Sequence, residues 1–203
     1  LISDPAIEQL ILKDFRLALA TELDRTAITG TGTGNQPRGI INTPGIGSIA
    51  LGTNGGPPTW ESIVGLEREV AADNADSGSL GYVTSALGRS KLKTVLKSAV
   101  AGADYIWADD PKMQGMGRLN GCRAMASTTV PSNLTKGTGT NLSAIVYGDW
   151  SSLIIATWGV LSLEVDPYAD FRKGRIATRV LLFADMAVRH AQSFAAITDM
   201  STT

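Results

Sequence analysis

Between Pro5 and Gly30 the chain contains neither glycine nor proline. A run this long without a breaker restricts the stretch to one long helix. Asp4 can cap its free N–H groups, and Pro5 suits the first helical position, where an N–H would go unpaired anyway. A helix from Pro5 to Ile28 spans roughly 36 Å at ~1.5 Å per residue, well beyond the three turns usual in globular domains. Its apolar residues form two groups. Ile7, Leu10, Ile11, Leu17 and Ala18 lie to one side, and Leu12, Leu19 and Leu23 to another, with Phe15 between. A helix apolar on two sides is covered on two sides. Either it is the core helix of an ordinary domain, or it is a spine with a sheet on one face and another element or subunit on the other. Asp14 falls inside the first stripe and needs a partner such as an arginine.

The helix runs into TGTGTGNQPRG, residues Gly30 to Gly39 being its glycine-rich part. Glycines at this density can turn backbone N–H groups toward a phosphate. The Gly-Lys-Ser/Thr ending of a phosphate loop is missing, however, and these glycines follow a helix instead of joining a strand to one. The preferred reading is a helix stop and a tight reversal, with Gly30 past the last turn and Pro37 and Gly39 shaping the exit.

Function classes narrow from composition. The 203 residues are 18% charged with a formal net charge of -1, which argues against gripping a phosphate backbone, a task for clustered Lys and Arg. Cys122 is the only cysteine, so an internal disulfide and a cysteine-based metal site are both excluded. No stretch approaches the ~18 continuous apolar residues of a membrane span, and no signal peptide is recognisable. The chain opens on Leu1 at a helix cap, and the expectation is a fragment of a longer protein.

Along the chain, Pro44 to Pro58 reads as a loop and a candidate boundary. A helix starts at Thr59 with Ile63, Leu66 and Val70 inward, then a buried strand runs from Leu80 to Thr84. A third helix is expected from about Ser85, burying Leu92, Val95, Leu96 and Ala99. This helix–strand–helix run is a compact α/β unit. Tyr105 to Trp107 is a candidate strand. Asp109 and Asp110 read as turn residues, since no His or third carboxylate lies nearby. Met113 to Gly117 reads as flexible, Leu119 to Pro131 as a turn and a strand, and Ser132 to Asn141 as a loop. Cys122 fits a small buried hydrophobe. Ala144 to Tyr147 is expected to be a short strand and Asp149 the N-cap of a helix burying Leu153, Ile154, Ile155 and Trp158. Val160 to Val165 follows as a strand. Arg175 to His190 alternates: Ile176, Val180, Leu182, Met186 and Val188 point one way, and Arg175, Arg179, Asp185 and Arg189 the other. Period two over this length means one strand of roughly 50 Å at ~3.3 Å per residue. Arg179 or Arg189 is the expected partner of Asp14. Phe194 to Ile197 adds a strand, and His190 reads as structural or surface rather than catalytic. No catalytic set, cofactor site or metal site emerges.

The segments LDRTAITGTGTGNQPRGI, TWESIVGLEREV, GYVTS, LNGCRAMASTTVP and AIVYGDWSSLIIATWG, followed by the long terminal strand, resemble in order and spacing the C-terminal part of the Hong Kong 97-type major capsid proteins of tailed bacteriophages. The resemblance implies an α+β fold with a long spine helix, a peripheral (P) domain sheet and a compact axial (A) domain. It implies residues 1-40 as spine helix and turn of the peripheral domain, 41-150 as axial domain, and 151-203 as return strands of the peripheral domain. It further implies a structural subunit, not an enzyme, of an icosahedral phage or prophage capsid. Such subunits assemble with themselves into pentamers and hexamers around double-stranded DNA, with a scaffold segment and a maturation protease as further partners. They read no nucleic-acid sequence, bind no membrane and end in the virion after synthesis in the bacterial cytoplasm. The family's N-terminal arm and extended loop would precede Leu1, so an open strand edge near Arg175 to His190 and no closed shells from this stretch alone are expected. Two alternatives stand beside this: an encapsulin-like nanocompartment shell, and an α/β enzyme binding a phosphorylated ligand at Gly30 to Gly39.

Overall fold

The breaker-free run forms helix α1, Pro5–Thr29, in the computed structural model, which describes residues 5–113 and 115–202. The expected Asp4 cap and the side chains of Ile7 and Ile176 lie outside the described part. After α1 come strand β1 (Gly47–Ser48), helix α2 (Trp60–Ala72), strand β2 (Leu80–Thr84), helix α3 (Ala86–Leu92) and strands β3 (Ala108–Asp109), β4 (Met116–Leu119) and β5 (Cys122–Ala126). Strands β6 (Leu134–Lys136), β7 (Gly139–Asp149), β8 (Leu153–Asp170), β9 (Arg175–Val188) and β10 (Phe194–Ser201) complete the chain.

Helix α2 begins where its capping chemistry lies. The Thr59 hydroxyl accepts from the Ser62 N–H at 3.2 Å, and the Ser62 hydroxyl accepts from the Thr59 N–H at 3.1 Å, a reciprocal capping box. Its inner residues Ile63, Leu66 and Val70 are buried against Tyr82, Ile145, Tyr147 and Ile197. Tyr82 and Tyr147 sit on neighbouring strands with ring centroids 4.4 Å apart, and burial pushes both phenols well above the ordinary tyrosine range.

Eight strands make one sheet in the order β1-β10-β7-β2-β5-β4-β3, with β6 also paired to β7. Strand β7 is buried from Leu142 to Asp149 because both of its faces are covered. Ile145 and Tyr147 face α2. On the opposite face, Val146 packs with Ile40 and Phe194, and Ala144 packs with Ile28 and Val130. The C-terminal end of α1 and the turn after it are therefore the second cover of the sheet.

Strands β8 and β9 stand apart as a two-stranded antiparallel ribbon. Two irregularities, between Trp158 and Ser162 and between Asp166 and Asp170, give β8 its extra residues over β9.

Several expectations are corrected. The segment after Asp149 is not a helix: Asp149 caps one short turn, Trp150–Ser152, and strand β8 then runs from Leu153. Helix α3 ends at Leu92, leaving Leu96 and Ala99 exposed, because the chain folds back so that the Lys97 N–H meets the Asp104 carbonyl at 2.8 Å. Tyr105 to Trp107 is no strand; Ile106 and Trp107 are nonetheless buried. The loop expected at Ser132 to Asn141 contains β6 and the start of β7, and β4 begins at Met116 inside the stretch read as flexible. The loop from Pro44 to Pro58 is sewn into the sheet, through β1 on β10 and Gly56 on Met200. The strand expected at Phe194 to Ile197 is present as β10, which lies in the eight-stranded sheet between β1 and β7.

Candidate assembly surfaces

Helix α1 and strand β9 meet over a short length only. Leu19 and Leu23 of α1 face Leu182 and Ala184 of β9 across a groove of about 300 Å³, with Glu22 and Asn35 at its margin. This is the even-numbered face of β9, where Val180, Leu182, Ala184, Met186 and Val188 are buried or half-buried, as the alternation requires. The opposite face is open. Trp158 pairs with Phe183 across the ribbon and the two rings are 57% and 69% exposed. Ile154, on the same face, and Leu181 are exposed as well. The first apolar group of α1 is also uncovered, with Leu10, Ile11 and Leu17 exposed. The expectation of a helix covered on two sides thus holds on one side only among the described residues. Each of these two faces carries an apolar patch that no described residue covers, the kind that marks association.

Asp14 needs no arginine, because it is exposed on α1. Arg179 instead pairs with Glu164 across the ribbon at 2.5 Å, and the Arg189 N–H donates to the Ser152 carbonyl at 2.8 Å. Strand β9 has β8 on one side and, among the described residues, no strand on the other.

The glycine-rich turn closes on itself. Gly39 N–H donates to the Gly30 carbonyl at 2.9 Å and Gly30 N–H to the Thr26 carbonyl at 2.9 Å. A Cβ on Gly30 would lie 2.2 Å from the Pro37 carbonyl oxygen, so glycine is needed for this close approach. The Gln36 side chain accepts from the Thr31 N–H at 3.2 Å and from its hydroxyl at 2.9 Å. The turn also follows the C-terminal end of α1, where the helix dipole repels an anion. The N–H groups of Gly30, Thr31, Gly32, Thr33, Gln36 and Gly39 are thus bonded within the turn or to the end of α1, as a structural reversal requires.

The other singled-out residues are not brought together. Asp109 accepts from Lys93 and from the Trp107 indole, and the Lys93 ammonium holds its carboxyl below the usual range. Asp110 is a turn residue whose carboxylate accepts from the Lys112 N–H at 3.0 Å. Cys122 is half-buried, 3.9 Å from the Tyr147 hydroxyl. His190 is exposed and borders a cleft with Asp73, Asp149 and Gln192. For Asp149, burial alone would push the carboxyl up. Hydrogen bonds from the Ser151 hydroxyl and N–H, the Ser79 N–H and the Ser152 hydroxyl outweigh burial and hold it below its ordinary value. Asp199 was not singled out by sequence reasoning. It is 1% exposed, takes the Lys136 ammonium at 2.6 Å and the Leu51 N–H at 3.0 Å, and so ties the 44–58 loop and the β6–β7 hairpin to β10. Its signal was one carboxylate inside FAAITDM, a stretch apolar but for Thr198. Among the described residues no cluster of three or more His, Cys, Asp or Glu could hold a metal, and no helix is long and apolar enough to cross a membrane.

The sequence matches the phage capsid family over residues 1–199. It is 29% identical over 189 residues to the major capsid protein of Halomonas phage phiHAP-1, an alignment that takes in 93% of this chain and 28% of that protein. The chain thus spans under a third of the length of this curated relative. Among solved structures it is similar to the capsid of the empty GTA particle, with TM-score 0.69 and 17% identity over 98% of this chain and 69% of that one. It is also similar to a Mycobacterium phage Che8 chain, with TM-score 0.61 and 14% identity over 94% and 63%. The holo-SrpI encapsulin of Synechococcus elongatus matches at TM-score 0.66 and 15% identity over 100% and 69%. At these identities the likenesses show the fold, which is α+β of the Hong Kong 97 type. The sequence match carries more, because it runs through spine helix, central sheet and ribbon alike, and because the family consists of structural proteins and not enzymes. This chain belongs to the phage capsid family.

Proposed function

We propose that the chain is the structural subunit of an icosahedral bacteriophage or prophage capsid, one that assembles with itself into pentamers and hexamers enclosing double-stranded DNA. The observation that carries the reading is the family match through residues 1–199, together with the exposed apolar patches on α1 and on the β8–β9 ribbon. Shell subunits need long contact surfaces more than a cleft. A net charge of -1 suits a wall that contains DNA without gripping it.

The domain reading follows the same logic. Residues 1-40 are the spine helix and turn of the peripheral domain, and 41-150 are the axial domain. Of 151-203, the β8–β9 ribbon belongs to the peripheral domain. The β10 segment joins the axial domain, because its hydrogen bonds go to β7 and β1. A scaffold segment and a maturation protease are the further partners of this reading, and the virion is its location.

A nanocompartment shell is the second reading. The likeness to the encapsulin over the whole chain favours it, and the phage major capsid protein relative favours the first. Negative-stain electron microscopy of the protein as its gene encodes it, expressed alone and with the neighbouring genes, separates them. Hollow shells that take up DNA when the neighbouring genes are present support the capsid. Shells filled with a co-expressed enzyme support the compartment, and dispersed small particles under every condition overturn both.

A further inference from the structure

Two Asn-Gly pairs occur in the chain, Asn54-Gly55 and Asn120-Gly121. In such a pair the glycine nitrogen, with no side chain beside it, can reach the asparagine side-chain carbonyl carbon. The structure holds the two pairs differently. Asn54 is clamped: its Oδ1 accepts from the Thr138 N–H at 3.1 Å and packs against Gly137. The Gly55 N–H donates to the Gly52 carbonyl at 3.4 Å, and a Cβ on Gly55 would lie 2.6 Å from the Asp199 carbonyl oxygen. Asn120 and Gly121 instead form the two-residue turn of the β4–β5 hairpin, with φ of 48° and 78°, the type I′ pattern. Gly121 is exposed and its Cβ position faces open space. Among the described residues its N–H has no hydrogen-bond partner. The Asn120 amide nitrogen donates to Glu67 Oε2 and so fastens the hairpin turn to α2.

We propose that Asn120 is a self-modification site, converted to aspartate or isoaspartate with water as the only co-reactant, and that the conversion releases the β4–β5 turn from α2. The Gly121 nitrogen gives its proton to solvent base and bonds to Asn120 Cγ. The Cγ–Nδ2 bond breaks and the nitrogen leaves as ammonia. Water then opens the resulting five-membered imide at either carbonyl, which gives aspartate or isoaspartate. No electron is gained or lost. The product places a carboxylate where an amide N–H donated to Glu67, so a donor–acceptor pair becomes two acceptors of like charge. On the capsid reading proposed above, each subunit of the shell then carries a slow, irreversible change at one defined turn.

The test is a time course on the intact chain at mildly alkaline pH, followed by peptide mapping. The peptide holding Asn120 is expected to gain one mass unit about tenfold faster than the peptide holding Asn54: each side chain holds one hydrogen bond, but the Gly55 N–H must also leave the Gly52 carbonyl and a crowded position, and the Gly121 N–H has, among the described residues, no such bond to break. Equal rates, a faster Asn54, or no gain at Asn120 overturns the site. The release is tested separately with Asn120→Asp, which is expected to lower the melting midpoint by a few degrees, and with Asn120→Asp plus Glu67→Gln, which restores a donor and with it the midpoint. An Asn120→Asp chain that melts with the parent overturns the release, as does a double variant that melts no higher than the single one.

Discussion

Replacing Phe194 with alanine removes a ring with no exposed surface. The ring packs with Ile40, Val146 and Ala196 on the sheet face opposite α2, and meets Trp150 edge-on, 5.6 Å between centroids and 80° between planes. A buried Phe→Ala change costs about 3–5 kcal/mol, with the larger values where the hole cannot collapse. Here the walls are fixed. Phe194 pairs with Gly148 on β7, and the Trp150 indole donates to the Gly81 carbonyl at 3.0 Å. The edge-on ring contact adds its own share. The expected loss is therefore in the upper part of the range, about 4–5 kcal/mol, or a fall in melting midpoint of about 8–20 °C for a chain of this length. Phe183→Ala deletes the same atoms from a ring 69% exposed on the open face of the ribbon, and its expected cost is within about 0.5 kcal/mol. Thermal and urea unfolding of the purified variants, followed by circular dichroism, measure both. A Phe194→Ala chain within about 1 kcal/mol of the parent refutes the reasoning, as does a Phe183→Ala chain that loses as much.

Made in the protein as its gene encodes it, Trp158→Ser with Phe183→Ser is expected to leave the melting midpoint nearly unchanged while abolishing shells in electron micrographs, since the two rings share a face that no described residue covers. Gly39→Ala puts a Cβ 2.5 Å from the Gly30 nitrogen and 2.6 Å from the Thr26 carbonyl oxygen; the expected cost is about 1–3 kcal/mol by urea titration, because backbone cannot step aside. Asp199→Ala strips the Leu51 N–H of its acceptor and Lys136 of its counter-ion, so a loss of about 2–3 kcal/mol and faster hydrogen exchange at the Leu51 amide are expected. The Asp149 carboxyl is held below its ordinary value in the folded chain. Its stabilising contribution is complete above the unfolded value of about 4 and is lost as pH falls through the folded value. Asp149→Asn is expected to lower stability at neutral pH and to flatten the acid limb below about pH 4, and an unchanged limb contradicts this assignment.

Helix α1 was legible because its signal is local: no breaker, a proline at the start and a glycine at the stop. Strand β9 was legible because its alternation is borne by its own residues, one face meeting α1 and the core. The segment from Leu153 was not. Ile154 and Ile155 are adjacent, and in a strand they point to opposite faces, so both being apolar reads as a helix stripe as readily as a strand. What decides is β9, which supplies the hydrogen bonds and lies more than twenty residues away in sequence. Strand β7 was recognised only at Ala144 to Tyr147, since a strand covered on both faces shows no alternation to extend. The assembly surfaces were hidden for the opposite reason. Trp158 and Phe183 are as apolar as any core pair, and only the fold reveals that no described residue covers them. Asp199 depends on three separate segments converging, which no local pattern records.

The place of β10 in the sheet governs when the fold can be completed. Ribosomes make β10 after every strand it joins, yet it is the inner neighbour of both β1 and β7. Until it arrives, β1 has no sheet partner and one edge of β7 is bare, with Gly47 waiting on Ala195 across most of the chain. Pairings of such sequence separation form late, because the loop must close before any contact rewards it. A nascent chain with its spine helix already formed therefore still lacks a finished central sheet. Any self-association that needs the finished sheet is therefore confined to chains already synthesised through β10.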